Sequence, residues 1–137
     1  MSTDFTVFIA GGVPLEDLAA FVRTELGPSL REEHGPARAD GPSLTGWFMG
    51  LHVSVFAATG FDDDAGIRFS EFSAAIGVSR FSGEGDADTV EAFASAVTCL
   101  LGMRLKTKLN VDNLVVKEMW SVVANFSGDP LFGRMLG

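Results

Sequence analysis

The sequence predicts an α+β domain: a mainly antiparallel sheet of about five to seven strands with two principal helices packed on one face. Two segments keep an apolar stripe at helical spacing, and several short ones alternate apolar and polar residues. The alternating segments follow one another through short turn-like sequences, which favours antiparallel neighbours over long crossovers. A chain of 137 residues, 47% of them hydrophobic, is the size of one ordinary domain and can bury a core. Residues 1–137 are therefore expected to form one globular unit.

Asp4–Ala10 (DFTVFIA) sets Phe5, Val7 and Ile9 against Asp4, Thr6 and Phe8, the pattern of a strand with one mainly apolar face. Gly11 and Gly12 end it. Pro14 suits the first turn of a helix, and Glu16 and Asp17 suit its positive end. Leu15, Leu18, Val22 and Leu26 follow on one stripe, with Phe21 beside it, until Gly27-Pro28 stops the helix.

Residues 27–46 contain Pro28, Pro36 and Pro42 among several glycines and hold neither period, so they read as a long loop. Trp47–Ala58 reads as strand with an interruption at Gly50, and residues 60–66 as a polar turn. Ile67–Phe81 fits both periods and is assigned as a strand with a bulge near Ser73.

The second helix starts at Asp88, with Glu91 completing a capping-box-like pair. Val90, Phe93, Ala94, Val97, Leu101 and Leu105 hold its apolar face, and Gly102 marks its expected end. Residues 103–109 alternate like a solvent-facing strand. Asn110–Asn113 supplies a turn, and strands follow over Leu114–Lys117 and Trp120–Phe126. Residues 127–137 show no clear period.

The charge is large and uneven. The 18 acids outnumber 10 bases for a net charge of −8. Residues 1–91 hold 15 acids and 5 bases, whereas residues 92–137 hold 3 and 5. An acidic front is ill suited to phosphate backbones, so no nucleic-acid partner is expected. It suits a basic protein surface, where complementary charge raises the association rate. The apolar stretches are too short to span a membrane, and the start has no basic region followed by an apolar one, so a cytoplasmic location is expected. One cysteine allows no internal disulfide.

The constellations tested for chemistry fall short of their requirements. A calcium loop counted from Asp62 would place Ile67 where glycine is needed and Ser73 where a bidentate Glu is needed. Gly11-Gly12 lacks the spacing of a phosphate-binding turn, and Pro14 removes a helix-end donor. Cys99 sits among apolar helix residues and reads as a packing thiol. His34 and His52 are too few for a metal cluster. No metal, cofactor or catalytic set is expected. Trp47, Phe48, Met49 and Trp120 are candidate aromatic or apolar anchors.

Across nearly its whole length the chain resembles bacterial polymorphic-toxin immunity proteins, the Sit-type immunity family. The resemblance rests on the succession DFTVFIA, PLEDLAAFVRTEL, GLHVSVFAATGFDDD, IRFSEFSAAIGVSRF, DTVEAFASAVTCLLG and RLKTKLNVDNLVVKEMWSVV. It implies a small non-catalytic protein that binds and neutralises one cognate toxin.

The preferred reading is accordingly a toxin inhibitor that meets a basic partner through an acidic surface. Its candidate contacts are Glu32, Glu33, Asp40, Asp62, Asp63 and Asp64, with Trp47 as an anchor. One alternative is a small ligand-binding domain or enzyme with a pocket between sheet and helices. There His52 would act as a base with Asp62, Asp63 or Glu71. Another is a structural subunit that completes a homodimer.

Overall fold

A computed structural model describes residues 4–32, 43–58, 69–80, 86–118 and 121–127. The strands are β1 (Asp4–Ile9), β2 (Leu30–Glu32), β3 (Leu44–Phe48), β4 (Leu51–Ala57), β5 (Ala74–Arg80), β6 (Asn113–Lys117) and β7 (Ser121–Phe126). The helices are α1 (Leu15–Leu26) and α2 (Ala87–Leu109). Among the described residues seven strands form one sheet in the order β2-β3-β4-β5-β1-β6-β7, and every neighbouring pair is antiparallel. The expected α+β class and strand number are both present.

The order dictates the crossovers. β5 and β6 flank β1 and are each antiparallel to it, so they run parallel to one another and need a long connection. α2 supplies it. α1 takes the chain from central β1 to the far edge, from which β2, β3, β4 and β5 return strand by strand.

Both helices pack on one face of the sheet, α1 against β4 and α2 against β1, β5, β6 and β7. That face presents Phe5, Val7 and Ile9 from β1, Leu51, Val53 and Val55 from β4, Ile76 and Val78 from β5, and Val115 from β6. Leu18, Val22, Val97, Leu101 and Leu105 from the helices complete this core. Burying apolar area of this kind contributes about 25 cal/mol per Å². A smaller cluster lies on the opposite face, where Phe8, Ala75, Leu114 and Val116 are buried and the Phe72 ring lies 5.4 Å from that of Phe8.

Several local expectations are corrected. The segment 27–46 is not loop throughout, because a 3-10 turn over Gly27–Ser29 leads into β2, and β3 begins at Leu44. The interruption at Gly50 is a complete reversal: Met49 and Gly50 both have positive φ, the conformation of a two-residue type I′ hairpin turn. The segment expected as one strand from Ile67 is a 3-10 turn at Phe69–Glu71 followed by β5, so no bulge falls at Ser73. Asp86, not Asp88, caps α2, accepting from Asp88 N at 3.3 Å and Thr89 Oγ1 at 2.8 Å. Glu91 pairs instead with Lys117 on β6.

Helix α2 also continues through residues 103–109, which were expected as strand, and stops at Asn110 in the left-handed conformation. Gly102 lies inside it and is buried. A Cβ there would meet Asn113 Oδ1 at 2.7 Å and the Phe126 and Val115 side chains at 3.0 Å. The glycine thus lets the helix approach β6 and β7 closely. Asn113 fastens that approach by donating from Nδ2 to Gly102 O at 2.9 Å and to Val111 O at 3.0 Å. The two helices are joined by Glu25, whose carboxylate meets Lys108 Nζ at 2.6 Å and Arg104 Nε at 3.1 Å. Its side chain is only 8% exposed, and the hydrogen bond from Lys108, helped by Arg104, holds its carboxyl below the ordinary value of 4.5.

Three outcomes follow from this packing. Gly102→Ala should gain about 1 kcal/mol of helix propensity but lose more to overpacking, for a net loss of about 1–2 kcal/mol in denaturant unfolding. Met49→Asn should raise the thermal midpoint, since Asn-Gly is the preferred type I′ pair and Met49 is 68% exposed. Because folding lowers the Glu25 carboxyl, its stabilisation is present above the unfolded value and disappears as pH falls through the folded one. Glu25→Gln should therefore cost about 1 kcal/mol at neutral pH, and the difference from the parent should close in acid.

Candidate partner-binding face

The face of the sheet opposite the helices has an apolar part and a polar part. Strand register brings Arg31, Trp47, His52, Ser79 and Asp4 into one row across β2, β3, β4, β5 and β1. Glu118 extends the row, donating its backbone N–H to Asp4 O at 2.9 Å. Neighbouring strands lie about 4.8 Å apart, so the row runs about 24 Å. Side chains alternate along each strand, which turns these residues away from the helices while Phe5, Leu51, Phe48 and Val78 turn towards them.

The row runs from Arg31 at the β2 edge, through an aromatic pair, to an acidic end. Trp47 and His52 are directly cross-strand, with ring centroids 5.0 Å apart in an edge-to-face arrangement. Both are half-buried. Three strands away, Asp4 and Glu118 stand side by side, and the Asp4 N–H donates to Glu118 Oε1 at 3.4 Å. Desolvation, with the Glu118 charge second, raises the Asp4 carboxyl above its ordinary value of 3.8. The site is therefore an acid pair, with the Lys117 charge near Glu118, beside a strip of Ser, His, Trp and Arg. It is suited to receive a cation together with a flat apolar group.

The residues expected to contact a partner do not all share this face. Trp47 lies within the row. Glu32 is the residue after Arg31 on β2, so it turns to the helix side and forms an ion pair with Arg23 of α1. Glu33, Asp40, Asp62, Asp63 and Asp64 fall outside the described residues, as do His34 and Trp120. His52 does point away from the core. Asp4 and Glu118 were not recognised from sequence, since 114 positions separate them and only the pairing of β1 with β6 unites them.

Cys99 packs partly against the helix-side core, and desolvation pushes its thiol above the ordinary value, as for an unreactive packing cysteine. Among the described residues no group of three or more His, Cys, Asp or Glu is arranged to hold a metal ion. No described helix is long and apolar enough to cross a membrane. Comparisons with known protein families, characterised proteins and solved structures return no match.

The raised Asp4 carboxyl gives a sign to its effect on folding. The unfolded carboxyl ionises first as pH rises, so an ionised Asp4 opposes folding above that range and is neutral below it. Asp4→Asn should therefore raise the thermal midpoint near pH 7 and leave it unchanged near about pH 3.

Proposed function

We propose that this chain is a non-catalytic, cytoplasmic binding protein that neutralises a basic partner, in the manner of a bacterial toxin immunity protein. The observation that carries this reading is the row on the helix-free face, where Trp47 and His52 follow Arg31 and the adjacent Asp4 and Glu118 form the far end. A Lys or Arg from the partner would meet the acid pair, and Trp47 would be the aromatic anchor. The excess of acids over residues 1–91 would steer a basic protein towards the site, and salt would weaken that attraction. Asp62, Asp63 and Asp64 would add to the steering.

The test begins by retrieving partners from cell lysate at low and high salt, then measuring the purified partner against variants. Asp4→Asn with Glu118→Gln should weaken binding roughly tenfold at low salt and less at high salt. Trp47→Ala should weaken it at least about tenfold at both, through faster dissociation. Replacing Asp62, Asp63 and Asp64 with Asn should chiefly slow association. Unchanged affinity in all three variants would remove this face and its charge from the account.

A further inference from the structure

Helix α2 is uncharged around its whole circumference for most of its length. Residues 92–103 include no Asp, Glu, Lys or Arg, although the helix lies on the outside of the sheet. A helix covering a sheet normally turns a charged face to water, and one that is apolar all round is normally buried. At 100° per residue, Thr89, Ala92, Ala96, Leu100, Met103 and Thr107 form one stripe directed away from the sheet. All six are exposed, with Leu100 at 45% and Met103 at 43%.

The charges lie at the two ends and have opposite signs. Asp86, Asp88 and Glu91 occupy the first turns, with Lys117 of β6 opposing Glu91. Arg104, Lys106 and Lys108 occupy the last turns, opposed by Glu25 of α1 and Asp112. After these counterions the start keeps a net negative charge and the end a net positive one. Each sign suits the helix's own dipole. The same distribution makes α2 complementary to itself when reversed.

We propose that the outer face of α2 is a dimer interface, occupied by α2 of a second copy running antiparallel about a twofold axis. Centred on the middle of the helix, the pairing sets Ala96 against Leu100 of the second copy and Ala92 against its Met103. Asp88 then faces the positive end of the opposite helix, Lys108 included. Small residues at Ala92 and Ala96 permit the close end of the 8–10 Å range of helix separations. A single helix pair is small beside the roughly 800 Å² per subunit of a standard interface, which favours a weak association over an obligate one. The dimer leaves both helix-free faces outward, so two partners would be held without competing for this interface.

Sedimentation equilibrium of the full chain over roughly 1–300 µM tests the association, since that range brackets micromolar dissociation constants. The mass should rise from monomer towards dimer, and Leu100→Glu should hold the protein monomeric with its circular dichroism unchanged. Ala96→Glu is a second disrupting variant should the first fail to fold. Direction is tested by cross-linking in a Cys99→Ser background. In an antiparallel pair, equivalent Ala92 positions lie about 18 Å apart, far beyond the roughly 7 Å Cα limit of a disulfide. Oxidising a mixture of Ala92→Cys and Met103→Cys proteins should therefore link one to the other, while neither should link to itself. A monomer at every concentration, a dimer indifferent to a glutamate at either position, or self-linking of Ala92→Cys would overturn the proposal.

Discussion

Strand β1 is hydrogen-bonded along both edges, covered by the helices on one face and buried on the other around Phe8, and most of the architecture depends on that position. Val7 and Ile9 are fully buried under the helices, while Phe8 is buried on the other side against Phe72. A strand so placed must satisfy every backbone group through its neighbours, and β5 and β6 do so in antiparallel register. Since both neighbours then run in the same direction, the chain must cross β1 between them. That requirement places α2 over the sheet centre. Gly102 and Asn113 let the helix sit close enough to close the core.

Helices on one side leave the two faces of the sheet with different work. The helix side is continuous core from Leu30 on the first edge to Phe126 on the other, and the Glu25 pairs clamp its two helices together. The opposite side has its apolar residues around Phe8, Leu114 and Val116, and it sets a polar row beside them. Evenly spaced strands convert widely separated residues into a linear surface, which no single segment of the chain could present. The arrangement puts charge and aromatic surface on a rigid support, the condition under which a binding face loses least entropy on engagement.

Much of the fold is legible in the sequence because local pattern and tertiary role agree. DFTVFIA reads as strand, and the stripe of Leu15, Leu18, Val22 and Leu26 reads as the helix it forms. Legibility fails where a distant contact overrides a local rule. Gly102 resembles a helix stop, and its reason for standing inside a helix is Asn113, on a strand that follows later. MRLKTKL alternates, yet Leu101 and Leu105 continue the helical stripe, and the left-handed Asn110 makes the real stop. Met49-Gly50 conceals a hairpin because Met stands where Asn is usual. Asp86 and Asp88 are equally good caps by composition, and only the backbone geometry selects between them. The row on the helix-free face is the least legible part. Trp47 could be singled out as an anchor, but its alignment with Asp4 and Glu118 exists only through the strand order.

The central place of β1, between β5 and β6 and beneath α2, is the claim on which both faces rest. Hydrogen exchange resolved to single amides by nuclear magnetic resonance tests it most directly. Amides of β1 from Phe5 to Ile9 should exchange only through global unfolding, while those of edge strands β2 and β7 should exchange through smaller openings. Amides of β1 that exchanged as early as those of the edges would contradict the strand order, and with it the row that joins Trp47 to Asp4.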